Sequence, residues 1–210
     1  MDKLVYIVRH GETEYNRLGI VQGQGVDTSL NERGLQQANA FFEHYRHEPF
    51  DLLLTSSLRR THETMHSFIK QGLPWEQYPE INEISWGTHE GRHSTPEMRA
   101  EYRHTVEQWN QGNFLARLGD GENAEELSSR LSRFVGRLKQ RTEKHILVCS
   151  HGRAMRCLAC LMLDVPIQQM DKYKHHNTGL YLFRFQKGRF LLERENDIRH
   201  LEAAGLEMGS

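Results

Sequence analysis

Three apolar runs of the sequence are followed at once by side chains that could do chemistry. The groups that come after runs 4–8, 51–55 and 145–150 are Arg9-His10-Gly11, Ser56-Ser57-Leu58-Arg59-Arg60-Thr61 and His151-Gly152-Arg153. A neutral imidazole is a nucleophile, and a guanidinium carries a planar fork of N–H donors that matches phosphate oxygens. Glycine lets backbone N–H groups approach an anion closely. Together these residue types predict a site for phosphoryl transfer.

Strands and helices alternate along the predicted order of elements. The predicted strands are 4–8, 51–55, 145–150 and 180–185, and the segments with helical spacing are 31–47, 57–71 and 123–141. This alternation predicts an α/β fold with a parallel sheet. Asn31 and Asn123 are expected to cap helices, because acidic first-turn residues come after each of them. In open α/β sheets ligands bind beyond the carboxyl ends of the strands, so the groups at these strand ends should meet at one edge.

The composition gives no global electrostatic preference. The 210 residues, 37% of them hydrophobic, predict a single domain, 1–210, with a formal charge of -1. We therefore expect no nucleic-acid or membrane partner. No segment has the pattern of a signal peptide or a membrane span, and the three cysteines form no spaced disulfide framework, so we expect a cytoplasmic protein. Segment 92–122 is polar with intermittent apolar residues and is predicted to be an inserted, lid-like excursion.

Six stretches of the sequence occur in an order that is typical of a known family. They are VRHGETEYN (8–16), GVDTSLNERGLQQA (25–38), SSLRRTHET (56–64), NEISWGTHEG (82–91), GDGENAEEL (119–127) and CSHGRAMR (149–156). With them the chain resembles the histidine phosphatase superfamily, in its phosphoglycerate mutase-like branch, from residue 4 to about residue 185. Asn123 stands where the family usually has Ser. The resemblance implies a three-layer α/β/α fold with a mostly parallel central sheet.

The resemblance also implies a mechanism and a set of site residues. The expected catalytic residues are His10, Glu83, His151, Arg9 and Arg60, and the expected substrate-binding residues are Arg9, Asn16, Gln22, Gly23, Arg60, His151 and Gly152. His10 would attack phosphorus and carry the phosphoryl group as phosphohistidine. Arg9, Arg60 and His151 would hold the phosphoryl oxygens, and Glu83 would protonate the leaving alkoxide and then activate water. The expected substrate is a small phosphomonoester, and the family chemistry implies no metal ion and no other cofactor.

Some of these assignments have close competitors. Arg59 and Arg60 are adjacent, so at most one of them is expected to point into the crevice, and the family pattern favours Arg60. Glu80 and Glu90 compete with Glu83 for the acid and base role, and Glu83 is favoured by its spacing to the glycines that come after it.

A zinc site is a rival hypothesis. Residues 62–66, His-Glu-Thr-Met-His, fit the His-Glu-x-x-His pattern of zinc metalloproteases. The same helix must also present Arg60 at its start and bury three apolar side chains, which disfavours a metal cleft on it. Cys157 and Cys160 have the spacing of a redox or metal pair, but their apolar neighbours favour buried core residues.

The sequence leaves other activities open. Phosphoglycerate mutase and fructose-2,6-bisphosphatase-like activities use the same core. About thirty residues separate Gly91 from Gly121, fewer than in cofactor-dependent mutases, and a short lid would leave water freer to reach the phosphohistidine. A non-catalytic module that binds a phospho-ligand or a protein is an alternative of another class.

Substrate choice and assembly are less constrained by the sequence. Tyr15, Gln22 and Arg92 are candidates for contact with the leaving group. Residues Trp109, Phe114 and Leu115 could form the apolar face of a lid or a contact in a possible homodimer.

Overall fold

A mixed six-stranded sheet with helices on both faces forms the centre of the protein, whose computed structural model describes residues 2–206. The strands are β1 (Lys3–Arg9), β2 (Leu52–Thr55), β3 (Trp75–Gln77), β4 (His145–Ser150), β5 (Leu180–Gln186) and β6 (Arg189–Asp197). The helices are α1 (Glu14–Leu18), α2 (Glu32–Tyr45), α3 (Arg59–Thr64), α4 (His66–Lys70), α5 (Pro96–Asn110), α6 (Ala124–Gln140), α7 (Gly152–Leu163) and α8 (Arg199–Ala203). Short 3-10 turns cover Pro79–Ile81, Gly87–His89 and Ile167–Lys172. The predicted α/β architecture is confirmed.

The register of the central strands decides where the chemistry-bearing residues lie. The strand order is β3-β2-β4-β1-β5-β6, and β2, β4 and β1 run parallel. Arg9 at the end of β1 pairs with Ser150 at the end of β4, and Thr55 at the end of β2 pairs with Cys149. The residues that come after these three strands therefore leave the sheet side by side at one edge, as the sequence predicts.

The central strands are continuously apolar because helices cover both faces of the sheet. Val5 and Ile7 of β1 pack into one buried cluster with side chains of α6 and α7. Tyr6 and Val8, which point to the opposite face, pack into a second cluster with α2 and α4. The two clusters hold the sheet between its helices and fix the edge where β1 and β4 end.

The expectation of a parallel sheet did not include the strands β3 and β6 or the antiparallel direction of β5. β5 runs antiparallel to β1, and β6 runs antiparallel to β5, so one side of the sheet is antiparallel. β6 is not predicted because its consecutive residues Glu193, Arg194 and Glu195 are exposed and charged, which leaves little hydrophobic pattern. β3 has three residues, which is too short to give a periodic signal.

The helix starts agree with the predicted caps. The Asn31 side chain accepts a backbone N–H of the first turn of α2, and Asn123 forms a reciprocal capping box with Glu126 in α6. The predicted helix 57–71 is interrupted, because Met65 (φ -97, ψ 6) leaves helical geometry and separates α3 from α4.

Segment 92–122 contains α5 and the loop after it. Trp109 of α5 is only 1% exposed, and its Nε1–H donates to the Ala116 carbonyl at 2.8 Å, so it is a core residue rather than a free apolar face. Phe114 is half-buried against the same core, whereas Leu115 is 65% exposed. A dimer contact at Leu115 stays a prediction. Within residues 2–206, no helix has both the length and the apolar character needed to cross a membrane.

Candidate active site

His10 lies directly after β1 with its side chain almost fully buried. Its Nδ1 is 2.7 Å from the carbonyl oxygen of Gly11. A carbonyl only accepts, so this bond places the proton on Nδ1 and leaves the lone pair on Nε2. Burial, and then the charges of Arg60 and Arg9, hold the pKa of His10 well below its usual value of 6.5. The ring is therefore neutral and nucleophilic at physiological pH.

The turn after His10 is fixed by contacts from distant segments. The backbone N–H of Gly11 donates to Thr64 Oγ1 at 2.9 Å, and the Asn177 side chain donates to the His10 carbonyl at 2.9 Å. A Cβ on Gly11 would lie 2.7 Å from the Gly34 carbonyl oxygen, which is closer than real Cβ atoms come. Only glycine fits there, so the close backbone approach requires the Gly of the Arg-His-Gly turn.

The second histidine is held between an arginine and a serine. Arg60 Nε–H donates to His151 Nδ1 at 3.2 Å, and His151 Nε2 donates to Ser56 Oγ at 2.8 Å. The ring centroids of His10 and His151 are 5.1 Å apart. Burial, followed by the charge of Arg60, lowers the pKa of His151 well below its usual value. Two neutral imidazoles thus lie beside a buried guanidinium.

Of the two adjacent arginines, Arg60 points inward. It is 1% exposed, and its Nη1 and Nη2 donate to the carbonyls of Val26 and Gly23 at 2.7 and 3.2 Å. Arg59 is exposed and lies near Asp27, whose carboxylate accepts the Arg59 backbone N–H. The structure therefore brings Arg60, and not Arg59, to the histidines.

Glu83 is buried against the first turn of α7. Its Oε1 accepts the backbone N–H groups of Ile84 and Ala154, both at 3.0 Å, and its Oε2 accepts that of Arg153 at 3.1 Å. The N-terminus of a helix favours a carboxylate, and these three bonds fix the orientation of the side chain.

A cavity of about 330 Å³ opens beside Arg9 and Glu83. Its polar lining comprises Arg9, Gln22, His89, Ser94, Glu83, Arg99, Arg153, Arg156 and His175 with the backbone of Gly152, and its apolar lining comprises Val21, Trp86, Met98, Tyr102 and Leu118. The Nε of Arg9 is buried with no hydrogen-bond partner in the described chain. Burial lowers the pKa of Arg9 to about 10, so its guanidinium stays charged and free to bind an anion.

The two glutamates that compete with Glu83 are placed elsewhere. Glu80 forms an ion pair with the exposed Arg137 at 3.5 Å. Glu90 accepts the backbone N–H groups of Trp86 and Gly25, both at 2.8 Å. Neither lines the cavity beside Arg9, whereas Glu83 does.

Some predicted binding residues lie at the cavity and others do not. Arg9, Gln22 and Gly152 line it, whereas Arg60, His151 and His10 are not part of its lining. Gly23 lies behind it with its carbonyl bonded to Arg60, and the Asn16 side chain accepts the Thr13 backbone N–H in the cap of α1. Tyr15 and Arg92, proposed to touch the leaving group, are not part of the lining.

Three lining residues, Arg153, Arg156 and His175, are not among the predicted catalytic and substrate-binding residues. Arg153 and Arg156 are three apart on α7, which puts both on one face of that helix directly after the second histidine. That spacing is a signal that could have identified them. His175 packs against Gly152, where a Cβ would lie 2.8 Å from its ring, and nothing local predicts this contact.

The segment that suggested zinc is used for packing. His62 Nε2 donates to the Ser56 carbonyl at 2.7 Å, and Glu63 accepts the Leu30 backbone N–H at 2.7 Å. Across residues 2–206 no three His, Cys, Asp or Glu side chains are grouped to hold a metal ion. Cys157 and Cys160 are buried in the core, and burial raises the pKa of their thiols to about 12 and about 11, as expected for core residues.

Comparison with known proteins agrees with this geometry. The family model of the histidine phosphatase superfamily (branch 1) matches residues 5–198. The chain belongs to the histidine phosphatase superfamily. It is therefore a phosphoric monoester hydrolase of the histidine phosphatase type.

Curated relatives of this histidine phosphatase span nearly its whole length. It is 32% identical over 189 residues to an adenosylcobalamin/alpha-ribazole phosphatase from Salmonella typhimurium, with 88% of this chain and 86% of the relative covered. It is 31% identical over 212 residues to a protein named probable phosphoglycerate mutase GpmB from Enterobacter sp., with 97% of each chain covered.

Solved structures share the fold of this histidine phosphatase. The alpha-ribazole phosphatase from Shigella flexneri is 26% identical with a TM-score of 0.81, and the match covers 92% of this chain and 96% of that one. A phosphoserine phosphatase mutant from Entamoeba histolytica, in complex with phosphoserine, is 27% identical with a TM-score of 0.82, covering 95% and 99%.

Proposed function

We propose that this histidine phosphatase hydrolyses a small phosphomonoester without a metal ion, through a phosphohistidine on Nε2 of His10. The observation that carries the proposal is the bond between His10 Nδ1 and the Gly11 carbonyl, which leaves a lone pair on Nε2 of a neutral, buried ring. In the first step Nε2 attacks phosphorus, and the bond from phosphorus to the leaving oxygen breaks. In the second step water attacks phosphorus and releases His10 and inorganic phosphate.

The charge of the transferred group would be balanced by arginines in place of a metal ion. Arg9 has a buried Nε with no partner among the described residues, and Arg60 lies within the histidine cluster. Both are fixed before substrate arrives, and such preorganised donors stabilise the charge that develops on the phosphoryl oxygens. His151 would add a further N–H donor if its ring moved so that Nε2–H donated to the phosphoryl group instead of to Ser56.

Glu83 would move the protons of the reaction. It lines the cavity beside Arg9, and the three hydrogen bonds that it accepts from backbone N–H groups hold the carboxyl group in one orientation. As an acid it would give a proton to the departing alkoxide, and as a base it would then take one from the attacking water. Its position at the cavity wall, unlike those of Glu80 and Glu90, supports this role.

A mutase is the second candidate, because one relative of similar length carries the name phosphoglycerate mutase. In a mutase the phosphoryl group of His10 would pass to a second hydroxyl instead of to water. Incubation with 3-phosphoglycerate separates the two activities: a mutase forms 2-phosphoglycerate, whereas a phosphatase releases inorganic phosphate.

The proposal is tested by phosphate release from a panel of phosphomonoesters. Wild type should release phosphate, and His10→Ala should release none above background. His66→Ala is the matched control, since it removes an exposed histidine and should leave turnover unchanged. No turnover by wild type with any member of the panel would favour a non-catalytic binding module. Full turnover by His10→Ala would show that His10 is not the nucleophile.

A further inference from the structure

The cavity beside Glu83 holds more cationic side chains than the transfer of one phosphoryl group uses. Besides Arg9, three more arginines, Arg99, Arg153 and Arg156, contribute to its lining, against the single carboxylate of Glu83. Such an excess of like charge destabilises the folded protein when the cavity holds only water, because the guanidinium groups repel one another. The excess is therefore expected to serve an anion that enters the cavity with the substrate.

Arg153 is held in place by contacts within the protein. Its Nη1 donates to Asp171 Oδ1 at 2.7 Å, its Nη2 contacts the Tyr102 hydroxyl, and its guanidinium lies 5.6 and 5.7 Å from the ring centroids of Tyr102 and Trp109. It is 5% exposed. Arg153 therefore acts as a fixed support and has few donors left for a ligand.

Arg156 is different, because it keeps donors unused. Its Nη1 donates to the same Asp171 oxygen at 2.6 Å, so two guanidinium groups share one carboxylate and a positive charge is left over. Its Nε is buried and has no hydrogen-bond partner among the described residues. Buried N–H groups are rarely left without a partner in native proteins, and an unpaired one at a cavity wall points to a ligand.

His175 adds a second unpaired nitrogen to the same wall. Its Nδ1 is buried without a partner in the described part of the chain, and its ring lies against Gly152 at the start of α7. Burial, and then the charges of Arg9, Arg156 and Arg153, lower its pKa to about 2. The ring is neutral and can donate one N–H without adding to the positive charge. Arg156 and His175 thus both line the cavity, and each has a buried ring or guanidinium nitrogen without a partner among the described residues.

We infer that the leaving group of the substrate carries a second anionic group, a phosphate or a carboxylate, which Arg156 and His175 bind inside this cavity. This inference rests on the proposed function and names the substrate class of the same site. Trp86, Met98 and Tyr102 line the rest of the cavity and would contact the carbon skeleton between the two anionic groups. Asp171 is the positioning residue that holds Arg156 in place.

Binding to the His10→Ala protein tests the inference without turnover. The probes are 3-hydroxypropyl phosphate, which has a neutral end, and propane-1,3-diol bisphosphate and 3-phosphooxypropanoate, which carry a second phosphate or a carboxylate. Charge-assisted hydrogen bonds predict that at least one of the probes with a charged end binds about tenfold or more tightly than the neutral one in calorimetry. Equal dissociation constants for all three probes would overturn the inference, and the better of the two charged probes identifies the group.

Variants separate a built subsite from general charge attraction. In the His10→Ala background, Arg156→Gln should bring the ratio of dissociation constants close to one, and Arg156→Lys should leave an intermediate ratio because it keeps the charge but loses the planar fork. Arg103→Gln is the matched control, since it removes an equal charge from an exposed position of α5 and should preserve the ratio. An equal loss of preference in Arg103→Gln and Arg156→Gln would reject the subsite.

Turnover by the protein with His10 intact separates this inference from the proposed function. All three probes form the same phosphohistidine and release primary alkoxides, so the ratio of their kcat/KM values reports the leaving group alone. Turnover of all three at equal kcat/KM would support the phosphatase and overturn the second anion site. Selective binding of the charged probes without phosphate release from any of them would support the anion site and count against the proposed function.

Discussion

The replacement Glu83→Gln tests the proposed acid and base with little change in shape. Glu83 accepts three backbone N–H groups, two on Oε1 and one on Oε2. A glutamine has a single side-chain oxygen and no proton to give, so it can keep the two bonds of one oxygen but must lose the bond from Arg153. The variant is therefore expected to lose activity strongly and stability modestly.

The contacts set the size of both effects. General acid catalysis contributes about 10²- to 10⁴-fold, so kcat for an alkyl phosphate should fall by about that factor. An aryl phosphate such as 4-nitrophenyl phosphate should lose less in its first step, because its leaving oxygen needs little protonation. One buried N–H without a partner costs about 1–3 kcal/mol, which lowers Tm by about 2–4 °C per kcal/mol in a chain of this size.

The assay compares single-turnover release of the leaving group from matched alkyl and aryl phosphates, together with thermal unfolding. Glu90→Gln is the matched control, because Glu90 also accepts backbone N–H groups on both oxygens, one on each, but lies outside the cavity. This variant should have a lower Tm but the same alkyl-to-aryl rate ratio as the wild type. An unchanged ratio in Glu83→Gln as well would refute its role as the acid.

Three further predictions use other parts of the site. Ser56→Ala removes the acceptor of His151 Nε2–H and should lower kcat/KM and destabilise the fold by about 1–3 kcal/mol; unchanged kinetics and unfolding would contradict the positioning role. The lowered pKa values of His10, His151 and His175 mean that the unfolded chain binds more protons below pH 6.5, so their stabilisation is complete above that pH and declines below it. The free energy of unfolding, measured with urea, should be lower by about 1.4 kcal/mol per histidine at pH 5.5 than at pH 7.5. A free energy of unfolding that does not change between pH 5.5 and 7.5 would count against this prediction. EDTA should leave phosphate release unchanged, whereas a loss of phosphate release that zinc restores would indicate a zinc site at residues 62–66.

Much of the site could be predicted because it consists of the residues that come directly after the parallel strands. Runs 4–8 and 145–150 are apolar on both faces, and in a parallel pair their ends must lie together, which brings His10 and His151 side by side. Arg60 was expected from the family pattern, and the structure places it between the histidines and the loop at Gly23.

The rest of the site depends on tertiary contacts that leave no periodic signal. In the sequence only the spacing to the glycines that come after it favours Glu83 over its neighbours, since its position depends on meeting the start of α7, about seventy residues along the chain. His175 lies in a loop and reaches the cavity only because it packs on Gly152. β6 is missed because only Phe190 and Leu192 of this edge strand pack against the core, and substrate binding by Asn16, whose side chain caps α1, stays a prediction.

Intact-protein mass spectrometry can show whether His10 carries the phosphoryl group. The sample is Glu83→Gln mixed with 4-nitrophenyl phosphate and quenched at alkaline pH. This variant should form the phosphohistidine readily and hydrolyse it slowly, because the base for water is gone. We expect a mass gain of one phosphoryl group that is absent in the double variant with His10→Ala. The same gain in the double variant, or wild-type phosphate release by His10→Ala alone, would show that His10 is not the nucleophile.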